Sequence, residues 1–440
     1  MKKVLIITYY FPPSGGPGVQ RVLKFVKYLP EFGWEPVVLT VQDGDYPARD
    51  ESLLREIPPS LKVFRTPILE PYGLYRSITG KKPGTAVDVN NIPKKGERKT
   101  FAEGIAEFIR ATFFIPDARI GWLFTAVKEA KRIIEAEHVD TIYSSSPPYT
   151  CAVIARNVHR ATGIPWVAGF RDPWTGFLST PNRWFLPKML DAYLERSCFE
   201  EATRVEVAWR GILLDLHKKY PNVPLDKVVL LPNGFDSADF PTTAFHRNDK
   251  FTVTYTGSMY GVRNPRTFLQ AVSNLIAVGK IDSKKIRLNF IGRFGGEILD
   301  MFHEPSVAEC IELFPYLPHS ESIAHLMTSD ALLLIVDEYA GGEEIVPGKV
   351  FEYIGARRPI IGIAHEGAIA ELLRSTGTGS VARNDDVPAI ESIILEYYSD
   401  YLYNKPSFSP DVNTVTQFER KEITKRLAQL FDDSLAGAAL

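Results

Sequence analysis

Ala331-Leu332-Leu333-Leu334-Ile335-Val336, followed by Asp337-Glu338-Tyr339-Ala340-Gly341-Gly342-Glu343-Glu344-Ile345-Val346 and then Pro347-Gly348-Lys349-Val350-Phe351-Glu352-Tyr353, reads as strand, loop and helix in succession. An unbroken apolar run suits a strand buried on both faces, as in a parallel sheet covered by helices. Proline suits the first helical position, where its fixed φ and missing N–H are harmless. The amides of Gly348 and Lys349 then face outward at the positive end of the helix dipole, and Lys349 adds a full charge in the first turn. The combination predicts an anion site suited to phosphate. Glu352 falls about five residues into the helix, roughly 8 Å beyond its first residue. Glu344 and Glu352 thus flank the site, and two readings stand: carboxylates that accept hydrogen bonds from sugar hydroxyls, or an exposed loop carboxylate and a solvated helix residue. The pairs Glu129/Glu137 and Glu304/Glu312 have the same separation, so the strand–loop–helix context carries the reading, not the spacing.

Similar apolar runs recur on either side. They are Val4–Thr8, Pro36–Thr40, Lys62–Arg65, Thr141–Ser144, Trp166–Phe170, Val205–Ala208 and Val228–Leu231, then Thr252–Thr256, Arg287–Ile291 and Ile360–Ile363. Helix-length segments separate them, which is the rhythm of repeated βα units. The series restarts near Phe251 after the polar stretch Pro241–Lys250. Two doubly wound α/β domains facing each other across a deep cleft are therefore expected, residues 1–245 and 246–410, with a helical segment 411–440 packing back on the first. Ligands in such sheets collect at the carboxyl ends of the strands.

At 440 residues, with 45% hydrophobic and 24% charged residues and a formal charge of −2, the chain has the balance of a soluble globular protein and not of one that coats nucleic acid. Its three cysteines form no CxxC pair, so neither a disulfide framework nor a zinc knuckle is expected, and a reducing, cytoplasmic setting is the simplest reading. The short apolar start is read as a first strand running into Pro12-Pro13-Ser14-Gly15-Gly16, not as a secretion signal. No run of about 18 apolar residues occurs that would span a bilayer. Asp43-Gly44-Asp45 reads as a turn, and the histidines show no HExxH, so no metal site is expected.

The stretch Tyr72–Thr100 breaks the βα rhythm, and Phe101–Ile115 follows it with apolar residues at near-helical spacing. Arg76, Lys81, Lys82, Lys94, Lys95, Arg98 and Lys99 stand there against Asp88 and Glu97, a local excess of five positive charges. Two readings stand: a solvated insertion, or a surface for anionic headgroups or a lipid-phosphate acceptor.

Glu344 to Glu352, continuing into Tyr353-Ile354-Gly355-Ala356-Arg357-Arg358-Pro359-Ile360-Ile361, resembles the Glu-x7-Glu signature of family 4 retaining glycosyltransferases. Phe11-Pro12-Pro13-Ser14-Gly15-Gly16-Pro17-Gly18-Val19-Gln20-Arg21 resembles that family's glycine-rich loop after the first strand. Pro232-Asn233-Gly234-Phe235-Asp236 resembles its Pro-Asn-Gly-x-Asp strand end, and Leu317-Pro318-His319-Ser320-Glu321-Ser322-Ile323 its turn whose backbone reads the nucleotide base. Trp166-Val167-Ala168-Gly169-Phe170-Arg171-Asp172-Pro173-Trp174, after Ser145-Ser146-Pro147-Pro148, resembles a bacterial surface-polysaccharide branch.

The resemblance implies a GT-B fold and transfer of a sugar from a nucleotide-diphosphate donor with retention and without a metal or other cofactor. It gives Glu344 the transferred sugar, Glu352 the ribose, and Arg263, Lys349 and the Gly348 amide the diphosphate, with Leu317 and His319 at the base and Gly16 and Gly18 beside the donor. Ser258 stands where the family usually has an arginine, and Arg171 where many members have a histidine. Arg171 then binds a phosphate and Asp172 orients the acceptor hydroxyl or acts as its base, or the two form a structural pair. The implied partners are the donor and a saccharide or lipid-diphosphate-linked acceptor at the cytoplasmic face of an anionic membrane, with no nucleic acid. Rival readings are a nucleotide-sugar epimerase and a non-catalytic nucleotide- or saccharide-binding module. A dehydrogenase is disfavoured, because the third glycine of GxGxxG is replaced by Arg21.

Overall fold

The computed structural model describes residues 1–46, 49–69, 101–176, 180–240, 248–261, 263–336, 343–405 and 408–437. The basic stretch Arg76–Lys99 lies outside them. The chain divides into a first unit, Met1–Pro232 with Ile423–Leu440, and a second, Asn233–Glu422. The change of unit falls at Pro232/Asn233 and not at 245/246. The reason is Phe235, which is buried in one core with Tyr353 and Ile354 and so ties its turn to the second unit.

In the first unit the strands are β1 (Lys2–Thr8), β2 (Trp34–Val41), β3 (Lys62–Thr66), β4 (Thr141–Ser146), β5 (Trp166–Phe170), β6 (Arg204–Val207) and β7 (Val228–Leu230). They form one parallel sheet in the order β3-β2-β1-β4-β5-β6-β7. Its helices are α1 (Pro17–Tyr28), α2 (Phe101–Phe113), α3 (Leu123–Glu137), α4 (Thr150–Thr162), α5 (Phe185–Glu201) and α6 (Arg210–Lys219). Side chains of a strand alternate between faces. Accordingly, Val4 and Ile6 of β1 join a core with α1, while Leu5 and Ile7 join another with α3 and α4. That is why the run is apolar throughout.

The second unit repeats the plan with β8 (Phe251–Thr256), β9 (Ile286–Ile291), β10 (Ile311–Phe314), β11 (Ala331–Ile335), β12 (Ile360–Ile363) and β13 (Gly379–Ala382), parallel in the order β10-β9-β8-β11-β12-β13. The helices are α7 (Arg266–Ala277), α8 (Gly296–Phe302), α9 (His319–Thr328), α10 (Lys349–Ala356), α11 (Ala368–Thr376), α12 (Val387–Tyr403) and α13 (Val412–Thr416). Ala331, Leu333 and Ile335 face one core and Leu332 and Leu334 the other. A last helix, α14 (Arg420–Gly437), belongs to the first unit from Ile423 onward. There its Phe431 packs on Trp34 and Tyr143, with ring centroids 5.2 and 5.9 Å away.

All the strands read from apolar runs are present, and β10 and β13 are additional. Both are edge strands: Ile311-Glu312-Leu313-Phe314 is largely exposed or half-buried, and Gly379-Ser380-Val381-Ala382 is built of small residues and is mostly half-buried. Neither carries the apolar run of a central strand. In each sheet the strand order switches direction, between β1 and β4 and between β8 and β11. Loops at the carboxyl ends of such neighbours diverge and leave room for a ligand.

Candidate functional site

In the second unit the switch point is flanked by the loop after β8 and by the turn leading into α10. Regular helix begins at Lys349, two residues later than expected, but a tight turn precedes it: the amides of Val350 and Phe351 donate to the carbonyls of Pro347 and Gly348 at 3.1 and 3.2 Å. The inner face of α10 is apolar, with Val350, Phe351, Tyr353 and Ile354 buried. The Tyr353 hydroxyl accepts from the Thr256 amide at 2.8 Å and pins the helix to the end of β8.

Lys349 Nζ lies 4.1 Å from the centre of the Tyr255 ring, a cation–π contact. It also reaches the backbone after β8: a β-carbon on Gly257 would sit 3.9 Å from that nitrogen. Gly257 has φ 119, which favours glycine, and leaves this approach open. Glu352 stands one turn on and on the same helical face as Lys349. Its Oε1 is 3.8 Å from His319 Nδ1, and His319 Nε2 is 3.6 Å from Asp239 Oδ2. Burial pushes the Glu352 carboxyl above the usual carboxylate range; His319, Arg420 and Lys349 pull it back and Asp239 adds to the rise.

Glu343 and Glu344 form a turn ahead of α10. The Glu343 carbonyl accepts from the Ala368 amide at 2.8 Å, and Gly367, at φ 152, packs so closely that a β-carbon would lie 2.4 Å from that oxygen. Half-buried Glu344 is thereby held near the start of α11. Arg263 is half-buried in the loop after β8, where its amide donates to the Tyr260 carbonyl at 3.3 Å. Leu317 precedes α9, and His319 is that helix's first residue. The glutamate–lysine group and the His319 turn are thus neighbours, although the sequence separates them widely.

Three participants were not anticipated. Asp239 and Arg420 act on Glu352 from remote sequence positions, and no local signal announces them. Arg293 lies 5.5 Å over the Tyr316 ring, in a loop whose carbonyl receives the Met259 amide at 3.0 Å. Its signal was available as Gly292-Arg293-Phe294-Gly295-Gly296 after a buried strand.

In the first unit Gly16, at φ 102, precedes α1, and Pro17 starts it. Gly18 lies against the Arg171 guanidinium, and a β-carbon there would be 2.1 Å from Nη1. Arg171 Nη2 donates to the Pro147 carbonyl at 2.5 Å, and the Arg171 carbonyl accepts from Trp209 Nε1 at 3.1 Å. Burial raises the Asp172 pKa and Arg171 opposes the rise. Gly18, Arg171 and Pro147 therefore form one cluster, carried on the first turn of α1 and the loops after β4 and β5. Arg21, which interrupts the glycine fingerprint, is fully buried, pairs with Glu206, and donates to the carbonyls of Leu231 and Pro232 at 2.8 and 2.9 Å. It is part of the sheet's interior. Among the described residues no group of three or more His, Cys, Asp or Glu side chains is placed to hold a metal ion.

Residues 87–239, about a third of the chain, match the family model described as Glycosyltransferase Family 4. No curated protein matches in sequence. Among solved structures, sucrose-phosphate synthase from Thermosynechococcus elongatus is similar at TM-score 0.64 and 13% identity, over 99% of this chain and 100% of that one. A glycosyltransferase from Rickettsia africae ESF-5 is similar at TM-score 0.61 and 13% identity, over 99% and 98%. Anabaena HepE in complex with UDP-glucose is similar at TM-score 0.56 and 12% identity, over 98% and 100%. The likeness to these structures runs over nearly the whole chain and defines its fold as GT-B, and residues 87–239 resemble glycosyltransferases of family 4.

Proposed function

We propose that the protein transfers a sugar from a nucleotide-diphosphate sugar to a saccharide or lipid-linked saccharide, with retention and without a metal ion, in bacterial surface-glycan assembly at the cytoplasmic face of the membrane. One observation carries the donor half of this reading. A lysine at a helix start, a glycine backbone beside it and a carboxylate one turn on stand together at the β8/β11 switch point. Lys349, Arg263 and the first amides of α10 take the diphosphate, whose charge grows as it leaves, and fixed cations and dipoles stabilise that growth. Glu352 accepts from ribose hydroxyls and Glu344 from hydroxyls of the transferred sugar. His319 and Leu317 lie on the base side. On the first unit, Gly16 and Gly18 supply close backbone, Arg171 an anion partner, and Asp172 orients the acceptor hydroxyl.

HepE was solved with UDP-glucose, so UDP-sugars are the first donors to try. Purified protein is incubated with each UDP-sugar and saccharide acceptors, and the new linkage is read by proton NMR. The reading predicts transfer with the donor's anomeric configuration kept, and equal rates with and without EDTA. An inverted linkage or loss of activity in EDTA overturns retention or metal independence respectively. Release of an epimerised UDP-sugar from donor alone overturns transfer itself.

A further inference from the structure

Helix α5 is built inside out. Its first three turns bury their carboxylates and expose their large apolar side chains. Asp191 faces inward, accepting from Trp174 Nε1 and from Arg183 Nε at 2.8 Å each. Glu195 is buried and accepts from the Thr175 amide at 3.1 Å and the Tyr220 hydroxyl at 2.8 Å, with Lys219 3.3 Å away. On the opposite face Phe185, Leu186, Met189, Leu190 and Tyr193 are all exposed, Phe185 by 71%. At 100° per residue these five fall within one stripe. Rotating the helix to hide them would pull two hydrogen-bonded carboxylates out of their partners, so the stripe is fixed outward.

The carboxyl-terminal end of α2 extends the same surface. Arg183 donates to the carbonyls of Ala111, Phe114 and Pro116 at 2.7, 3.0 and 2.7 Å, and Trp184 Nε1 to Thr112 Oγ1 at 2.9 Å. Phe108, Phe113 and Trp184 are exposed there as well. A soluble surface seldom leaves so many large apolar groups contiguous without an occupant. The charges beside them say which. Lys188 is exposed within the stripe's own turns and Arg110 is half-buried on α2, while Asp191 and Glu195, the acids in those turns of α5, point inward.

We propose that this face of α5 and α2 docks on an anionic lipid bilayer. Aromatic and aliphatic side chains enter the interface, and the cations meet lipid phosphates. The proposal deepens the membrane-acceptor reading above. Its test uses neither donor nor acceptor, so the two stand or fall separately.

The test is co-sedimentation of the full chain with vesicles of phosphatidylcholine alone and of phosphatidylcholine mixed with phosphatidylglycerol. The proposal predicts binding that is stronger on the anionic vesicles. Phe185→Asn and Met189→Gln should each lower partitioning about tenfold on both. Lys188→Gln should lower it about fivefold on the anionic vesicles only. These side chains are exposed, so melting temperatures should hold, which separates lost docking from lost folding. Wild type that binds neither vesicle, or variants that bind like wild type, overturns the proposal. So does a wild-type dimer that Phe185→Asn dissociates and that ignores vesicles, which would make the face a contact between copies.

Discussion

Lys349 and Glu352 share one face of α10, and each makes a different demand on a ligand. Lys349→Ala is expected to weaken nucleoside diphosphate binding roughly ten- to a hundredfold, the loss of one charge-assisted hydrogen bond. Isothermal titration reads it. Glu352 gives a pH signature. Burial raises its folded-state pKa, so between the ordinary and the raised value the folded chain holds a proton that the unfolded chain has lost. Ionised Glu352 therefore costs stability above that window, and the cost is relieved as pH falls through it. Melts of wild type against Glu352→Gln should differ most at neutral pH and converge at acid pH. Donor affinity, which uses the carboxylate, should fall over the same window in wild type and stay level in Glu352→Gln. Gly18→Ala tests the first unit: its β-carbon would displace the Arg171 guanidinium. In a transfer assay it should resemble Arg171→Ala, with little change in melting temperature. Of these residues, Lys349 and Glu352 were legible because their setting is local in sequence. The Asp239–His319–Glu352 chain was not, because it joins three separate loops and elements.

Elements were legible in proportion to their burial. Central strands such as β1 and β11 serve two cores and so advertise themselves as apolar runs. Edge strands β10 and β13 serve fewer neighbours and carry no such mark. Helix α5 was illegible for the opposite reason: its exposed face is the apolar one, so its pattern does not report which side is inside. The same inversion occurs within the first sheet, where Glu206 on β6 is fully buried with Arg21 and accepts from the Tyr143 hydroxyl at 3.0 Å. Burial pushes its pKa up and Arg21 restrains the rise. Removing one partner of such a pair strands the other. Glu206→Ala should therefore cost about 3–5 kcal/mol in urea denaturation, whereas breaking a solvent-exposed pair such as Arg196–Glu200 should cost far less.

At the scale of the whole molecule, each unit closes its own parallel sheet between helices, and the chain passes from the first to the second at Pro232/Asn233 and returns at Glu422/Ile423. The doubly wound plan of both units was readable because βα periodicity repeats. The unit boundary was less so: a polar stretch marks a linker, but Phe235 had already joined the second core. The central claim is that the second unit binds a nucleoside diphosphate sugar through α10. The direct measurement is calorimetric titration of wild type and Glu352→Ala with UDP, GDP, ADP and CDP. The account predicts binding of one base in preference to the others, weakened about tenfold by Glu352→Ala as the ribose loses its carboxylate. Absence of binding by every nucleoside diphosphate, or equal affinity in Glu352→Ala, would contradict it.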